Sequence, residues 1–118
     1  MRVYADNAAT TQISEKALQA MMPAFREHYG NPSSLHTLGQ NQNEILQDAR
    51  ARVAKCLGCE PREIIFTSGG SEADNQAIIS AARLGQRKGK KHIISTAFEH
   101  HAVLHTLNRL EKEGFEVT

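Results

Sequence analysis

The apolar run E63-I-I-F-T67 passes without a spacer into S68-G-G-S71, after which Ala73, Ala77, Ile78, Ala81 and Ala82 recur at helical spacing. This junction constrains the fold more than any other feature. A short apolar run that gives way to a helical period predicts a strand, Glu63 to Thr67, feeding directly into a helix, Ser71 to Leu84. The alternation then repeats. Residues 92–95 form another short apolar run, Val103, Leu104, Leu107 and Leu110 mark a helix over 101–113, and F115-E-V-T118 predicts a further strand. Strands joined by helices pair in parallel through right-handed crossovers, which puts the chain in the α/β class. Upstream, Leu18, Met21, Met22 and Phe25 share one face of a helix beginning near Ser14, and Y29-G-N-P-S-S34 collects turn formers. A second helix, Gln40 to Leu57, should end in a left-handed cap at Gly58.

Composition narrows the function classes. A chain of 118 residues, 40% hydrophobic and 5% aromatic, suits one small domain rather than two. Fourteen basic against thirteen acidic residues leave a net charge of +1. The basic patch R87-K-G-K-K91 contains a glycine and reads as a solvated connection, so nucleic acid is not an expected partner. The start M1-R-V-Y-A-D6 lacks the apolar core of a signal peptide, and no apolar run approaches the roughly 20 residues of a membrane span, so a cytoplasmic location is expected. The pair C56-L-G-C59 falls at a predicted helix C-terminus, whereas thioredoxin-like pairs open a helix. With only His101 and His105 as further spaced ligands, no metal site is expected.

Two glycines at a strand-to-helix junction have two explanations. They suit a tight turn, because glycine reaches angles a side chain forbids. They also admit an anion to a helix start, where unpartnered N–H groups and the macrodipole concentrate positive potential. Ser71 would add a hydroxyl. In open parallel sheets, ligands gather beyond the carboxyl ends of strands, and T67-S-G-G-S71 and T96-A-F-E-H100 are the two loops so placed. An imidazole at His100 can stack on an aromatic ring and move protons near neutral pH. Its neighbour His101 is expected to cap or solvate the following helix.

Four blocks carry a more specific signal: Y4-A-D-N-A-A-T-T11, G30-N-P-S-S-L-H-T-L-G39, I64-I-F-T-S-G-G-S-E-A-D-N75 and E99-H-H-A-V103. In this order they resemble the N-terminal third of cysteine desulfurases, pyridoxal-phosphate enzymes of the class V aminotransferase group, and the G-N-P-S-S-x-H form is similar to the NifS/IscS branch. The resemblance implies the first part of the large domain of a fold-type I enzyme, a three-layer α/β/α arrangement with a mainly parallel sheet. Residues 1–30 would lie on the small-domain and interface side, and 31–118 would begin the large domain. It implies that Gly70 and Ser71 bind the cofactor phosphate, that His100 stacks on the cofactor ring and assists proton transfer, and that Asn7 contacts the substrate, L-cysteine. Threonine is frequent in the family where this chain has Ser71.

The same resemblance implies a homodimer that passes sulfur to an iron-sulfur scaffold or another acceptor protein. It also implies missing parts. The Schiff-base lysine, the acidic partner of the pyridine nitrogen and the sulfur-accepting cysteine lie beyond position 118 in the family, and Lys16, Lys55, Lys88, Lys90, Lys91 and Lys112 match no such motif. The chain is thus expected to be part of an enzyme and inactive alone. Two other readings stay open at this point: a non-catalytic α/β module binding a phosphorylated small molecule, and a related lyase acting on selenocysteine or cysteine sulfinate.

Overall fold

A computed structural model describes residues 3–118. Its contacts group the chain into two units, one ending at Ile64 and one beginning at Ile65.

The first unit is made of self-capped helices. Helix α1 (Glu15–Arg26) starts where the Ser14 hydroxyl accepts the Ala17 N–H at 3.2 Å, and none of its residues is buried. Helix α2 (Thr37–Leu57) begins three residues before the expected Gln40, because His36 acts as N-cap and its Nδ1 accepts the Gly39 N–H at 3.3 Å. Just upstream, the Asn31 side chain accepts the Ser33 N–H at 2.9 Å and its carbonyl accepts the Ser34 N–H at 3.0 Å, folding 31–34 back onto the helix. Gly39 is required there. A Cβ on it would lie 2.3 Å from the Ser34 carbonyl oxygen. As expected, α2 ends at Gly58 in the left-handed region, φ 71°, with Cys56 and Cys59 as free thiols beside it.

The expected strand Glu63 to Thr67 does not form. Glu63 instead closes a 3₁₀ turn, Pro61–Glu63, in which its carboxylate accepts the Glu60 N–H at 2.7 Å. The backbone that follows is extended at Ile64 (φ −87°, ψ 124°), and the Ile64 carbonyl accepts from the Arg50 guanidinium. A strand exists only through ladder bonds to a neighbour, and among the described residues the one sheet ladder does not include this stretch.

In the second unit the predicted alternation holds. Helix α3 (Gly70–Arg87), strand β1 (His92–Ile93), helix α4 (His101–Lys112) and strand β2 (Glu116–Val117) follow in order. The strands pair in parallel with His92 opposite Glu116 and Ile93 opposite Val117, and α4 is the crossover between them. The ladder extends beyond the assigned residues, since the Ser95 N–H donates to the Thr118 carbonyl at 2.8 Å. Ala82, Leu110 and Phe115 form the core, with Ile78 and Ile93 packed against it. Cations cover the Phe115 ring, Arg83 at 5.8 Å and Lys91 at 5.9 Å from its centroid. Arg83 also pairs with Glu113, which accepts from Arg109 at 3.0 Å as well. These bonds, Arg109 first, hold the Glu113 carboxyl below the usual range. No helix among the described residues is long and apolar enough to cross a membrane.

Candidate functional site

The start of α3 is built around its backbone amides. The first bond of the helix runs from the Ala73 N–H to the Gly69 carbonyl at 3.1 Å, so the amides of Gly70, Ser71 and Glu72 precede any intrahelical partner. Ser68 is fixed separately: its N–H and its hydroxyl both donate to Glu72 Oε2, at 2.7 and 2.6 Å. Those two bonds hold the Glu72 carboxyl below its ordinary value. The glycines do not serve as a strained turn. Gly69 is fully extended (φ 166°, ψ −179°), and neither it nor Gly70 adopts a positive φ in the left-handed region. A Cβ built on either meets no atom within 4 Å, so the missing side chains leave the approach to the amides clear. Ser71 is exposed beside them.

His100 stands at the start of the next helix. It is the N-cap of α4, its Nδ1 accepting the Ala102 N–H at 3.1 Å. The capping role expected of His101 therefore falls to His100, and His101 is the first helical residue, stacked on His105 with centroids 5.6 Å apart. A neutral imidazole that accepts at Nδ1 carries its proton on Nε2. The exposed edge of His100 is thus an N–H donor at Nε2, and taking up a proton would use the Nδ1 lone pair and release the cap.

Two residues absent from the sequence-based site join these helix starts. Asn75 Nδ2 donates to the Ser71 carbonyl at 2.6 Å and reaches the Ala102 carbonyl at 3.4 Å, while its Oδ1 accepts from Thr106 Oγ1 at 2.6 Å. Thr106 Oγ1 also lies 2.8 Å from the Ala102 carbonyl, and the residue is only 3% exposed. A polar residue flanked by Val103, Leu107 and Leu110 on the apolar face of a helix is the signal that could have pointed to it. Asn7 belongs to the first unit, at a turn where its carbonyl accepts from Thr11 Oγ1 at 3.4 Å. The groove of about 800 Å³ in the second unit is a different place. Ile78, Ala82, Ile93, Val103 and Leu107 line it, and Gly70, Ser71 and His100 do not.

The family model described as aminotransferase class-V matches residues 3–118. The chain belongs to the class-V aminotransferase family. Among curated members, a cysteine desulfurase IscS of Clostridium botulinum is 51% identical over 117 residues, covering 99% of this chain and 29% of the relative. One of the same name from Methanosarcina thermophila is 49% identical over 116 residues, covering 98% and 28%. A solved structure titled NifS-like protein superposes with a TM-score of 0.91 at 43% identity, covering all of this chain and 32% of that one. A second, SspA in complex with cysteine, gives 0.82 at 37% identity over 94% of this chain and 32% of its own. The chain therefore corresponds to the N-terminal part of these family members and spans about three-tenths of their length. The α/β class and the parallel strand pair agree with a partial fold-type I domain.

Proposed function

We propose that the chain is the cofactor-phosphate-holding N-terminal part of a pyridoxal-phosphate-dependent cysteine desulfurase of the NifS/IscS type. The observation that carries the reading is the pairing of two adjacent helix starts, one presenting the free amides of Gly70 and Ser71 with the Ser71 hydroxyl, the other presenting the exposed His100 ring. These residues fit a phosphorylated aromatic cofactor. Amides at a helix N-terminus attract an anion, no Cβ crowds them, and an imidazole held at Nδ1 can lie flat on a ring with its Nε2–H exposed, releasing the cap when Nδ1 takes up a proton. Pyridoxal phosphate, when bound, supplies an electron sink for cleaving bonds of an amino acid. Asn7 would contact the substrate, L-cysteine, whose sulfur the enzyme passes to an iron-sulfur scaffold or other acceptor. Residues 1–30 would face the small domain and the homodimer interface, with 31–118 opening the large domain of a cytoplasmic enzyme.

The test uses the full-length parent. Ser71→Ala should lower affinity for pyridoxal phosphate about tenfold, the value of one hydrogen bond to a charged group, whereas His100→Ala, which removes the ring contact, should weaken cofactor binding by no more than that and lose mainly turnover of L-cysteine. Wild-type cofactor retention in Ser71→Ala overturns the phosphate assignment. Residues 1–118 alone should yield no yellow protein that survives gel filtration with the cofactor, because none of their lysines matches the family's attachment motif.

A further inference from the structure

We infer that Asn75 and Thr106 are positioning residues that hold the amides at Gly70 and Ser71 and the ring of His100 in one fixed register. The inference rests on the cofactor reading above. The phosphate and ring of a single cofactor are separated by a fixed covalent distance, so contacts from two different helices grip both only if the helix starts keep a matching separation. The core packs closest toward the other ends of the helices, Ile78 being its member in α3 nearest to Asn75. Ala82 and Leu110 pack near the C-terminal ends of α3 and α4, and the Arg83–Glu113 pair lies there too. Asn75 is seven residues before Ala82, about 10 Å along the helix.

At the N-terminal ends, the hydrogen bonds that join α3 to α4 run through one amide, that of Asn75. Both Asn75 donor hydrogens are directed to carbonyls, those of Ser71 and Ala102, and its oxygen is satisfied by Thr106. The two carbonyls belong to residues already placed in the site: Ser71 supplies an amide and a hydroxyl, and Ala102 supplies the N–H that fixes His100 Nδ1. The chain of bonds therefore runs Ser71, Asn75, Ala102, His100. Thr106 is buried, so water does not substitute for its hydroxyl. Removing it leaves the Asn75 oxygen without its donor, which costs more than a lost exposed bond. The amide can then turn, and the two helix starts can move apart.

The experiment compares Thr106→Val and Thr106→Ser in the full-length parent, titrating apoprotein with pyridoxal phosphate and separately with inorganic phosphate, alongside a urea midpoint. Inorganic phosphate reads the α3 amides alone, and the cofactor reads both contacts together. Thr106→Val should bind pyridoxal phosphate about tenfold more weakly with phosphate affinity unchanged, and Thr106→Ser should stay within about twofold of wild type. Wild-type cofactor affinity in Thr106→Val overturns the inference. So does an equal loss for both ligands, which means the hydroxyl only maintains the fold. Should Thr106→Val fail to fold cooperatively, Asn75→Ala is judged by the same two titrations. If Ser71→Ala and His100→Ala behave as proposed while these variants do not, the cofactor reading stands and the clamp falls. Wild-type apoprotein that binds no pyridoxal phosphate sinks both.

Discussion

The two units of this chain are held together by different kinds of contact. In the unit ending at Ile64, order is mostly local: Ser14 and His36 cap their own helices, Gly58 stops the second, the Asp48–Arg52 ion pair spans one helical turn at 2.7 Å, and the bonds of Asn43 to Pro32 and Arg50 to Ile64 reach 11 and 14 positions. Only Gly39 and Ala54 are buried in its helices. In the unit beginning at Ile65, the decisive contacts join residues 26 to 31 positions apart, His92 with Thr118, Asn75 with Ala102, Arg83 with Glu113 and Asn75 with Thr106. A core of Ala82, Leu110 and Phe115 joins the same elements. Local order can form segment by segment, whereas contacts across long loops form together or not at all, because each loop closure is costly until the others reward it. The first unit should therefore lose structure gradually and the second in one step.

The largest effect expected is that of Leu110→Ala. Leu110 is 1% exposed, and truncating a fully buried leucine costs about 2–5 kcal/mol. Amide exchange should rise throughout α3, α4 and both strands while α2 keeps its protection; equal loss in α2 would break the distinction between the units. Gly39→Ala probes the first unit at its tightest point, where the added carbon meets backbone rather than a yielding side chain. A cost of about 1–3 kcal/mol is expected, and exchange should quicken in 31–40 without spreading to α3. Acidification is the gentlest probe. Glu113 and Glu72 have carboxyls held below their ordinary value of 4.5, so their stabilisation is complete above that value and is lost as pH falls through the lowered one. Both lie in the second unit. Its urea midpoint should fall over that acidic range and shift less in Glu113→Gln, whereas an identical acid response in that variant would assign the sensitivity elsewhere.

What the sequence made legible follows the same division. Helical periods, the Gly58 stop and the Ser14 start depend on residues close in the chain, and each is found where the pattern places it. The early start of α2 went unseen because histidine is an unusual N-cap, and only the geometry reveals His36 Nδ1 accepting an amide. Glu63 to Thr67 has a strand's composition yet lies outside the sheet ladder of the described residues. In the candidate site, the open amides at the glycine junction follow from the strand-to-helix pattern, and the roles of Ser71 and His100 came with the family resemblance. Asn75 and Thr106 stayed hidden because their bond spans 31 positions, a separation to which no periodicity speaks.

The carboxylate of Glu72 has one more consequence. By taking the Ser68 N–H and hydroxyl into a bond inside its own segment, it orders the loop before any visitor arrives. Under the proposed reading, an anion approaching the Gly70 and Ser71 amides would meet a surface with no folding step to wait for, and its capture rate would follow diffusion and ionic strength. Differences in affinity between variants of that site would then show mainly as differences in how slowly the anion leaves.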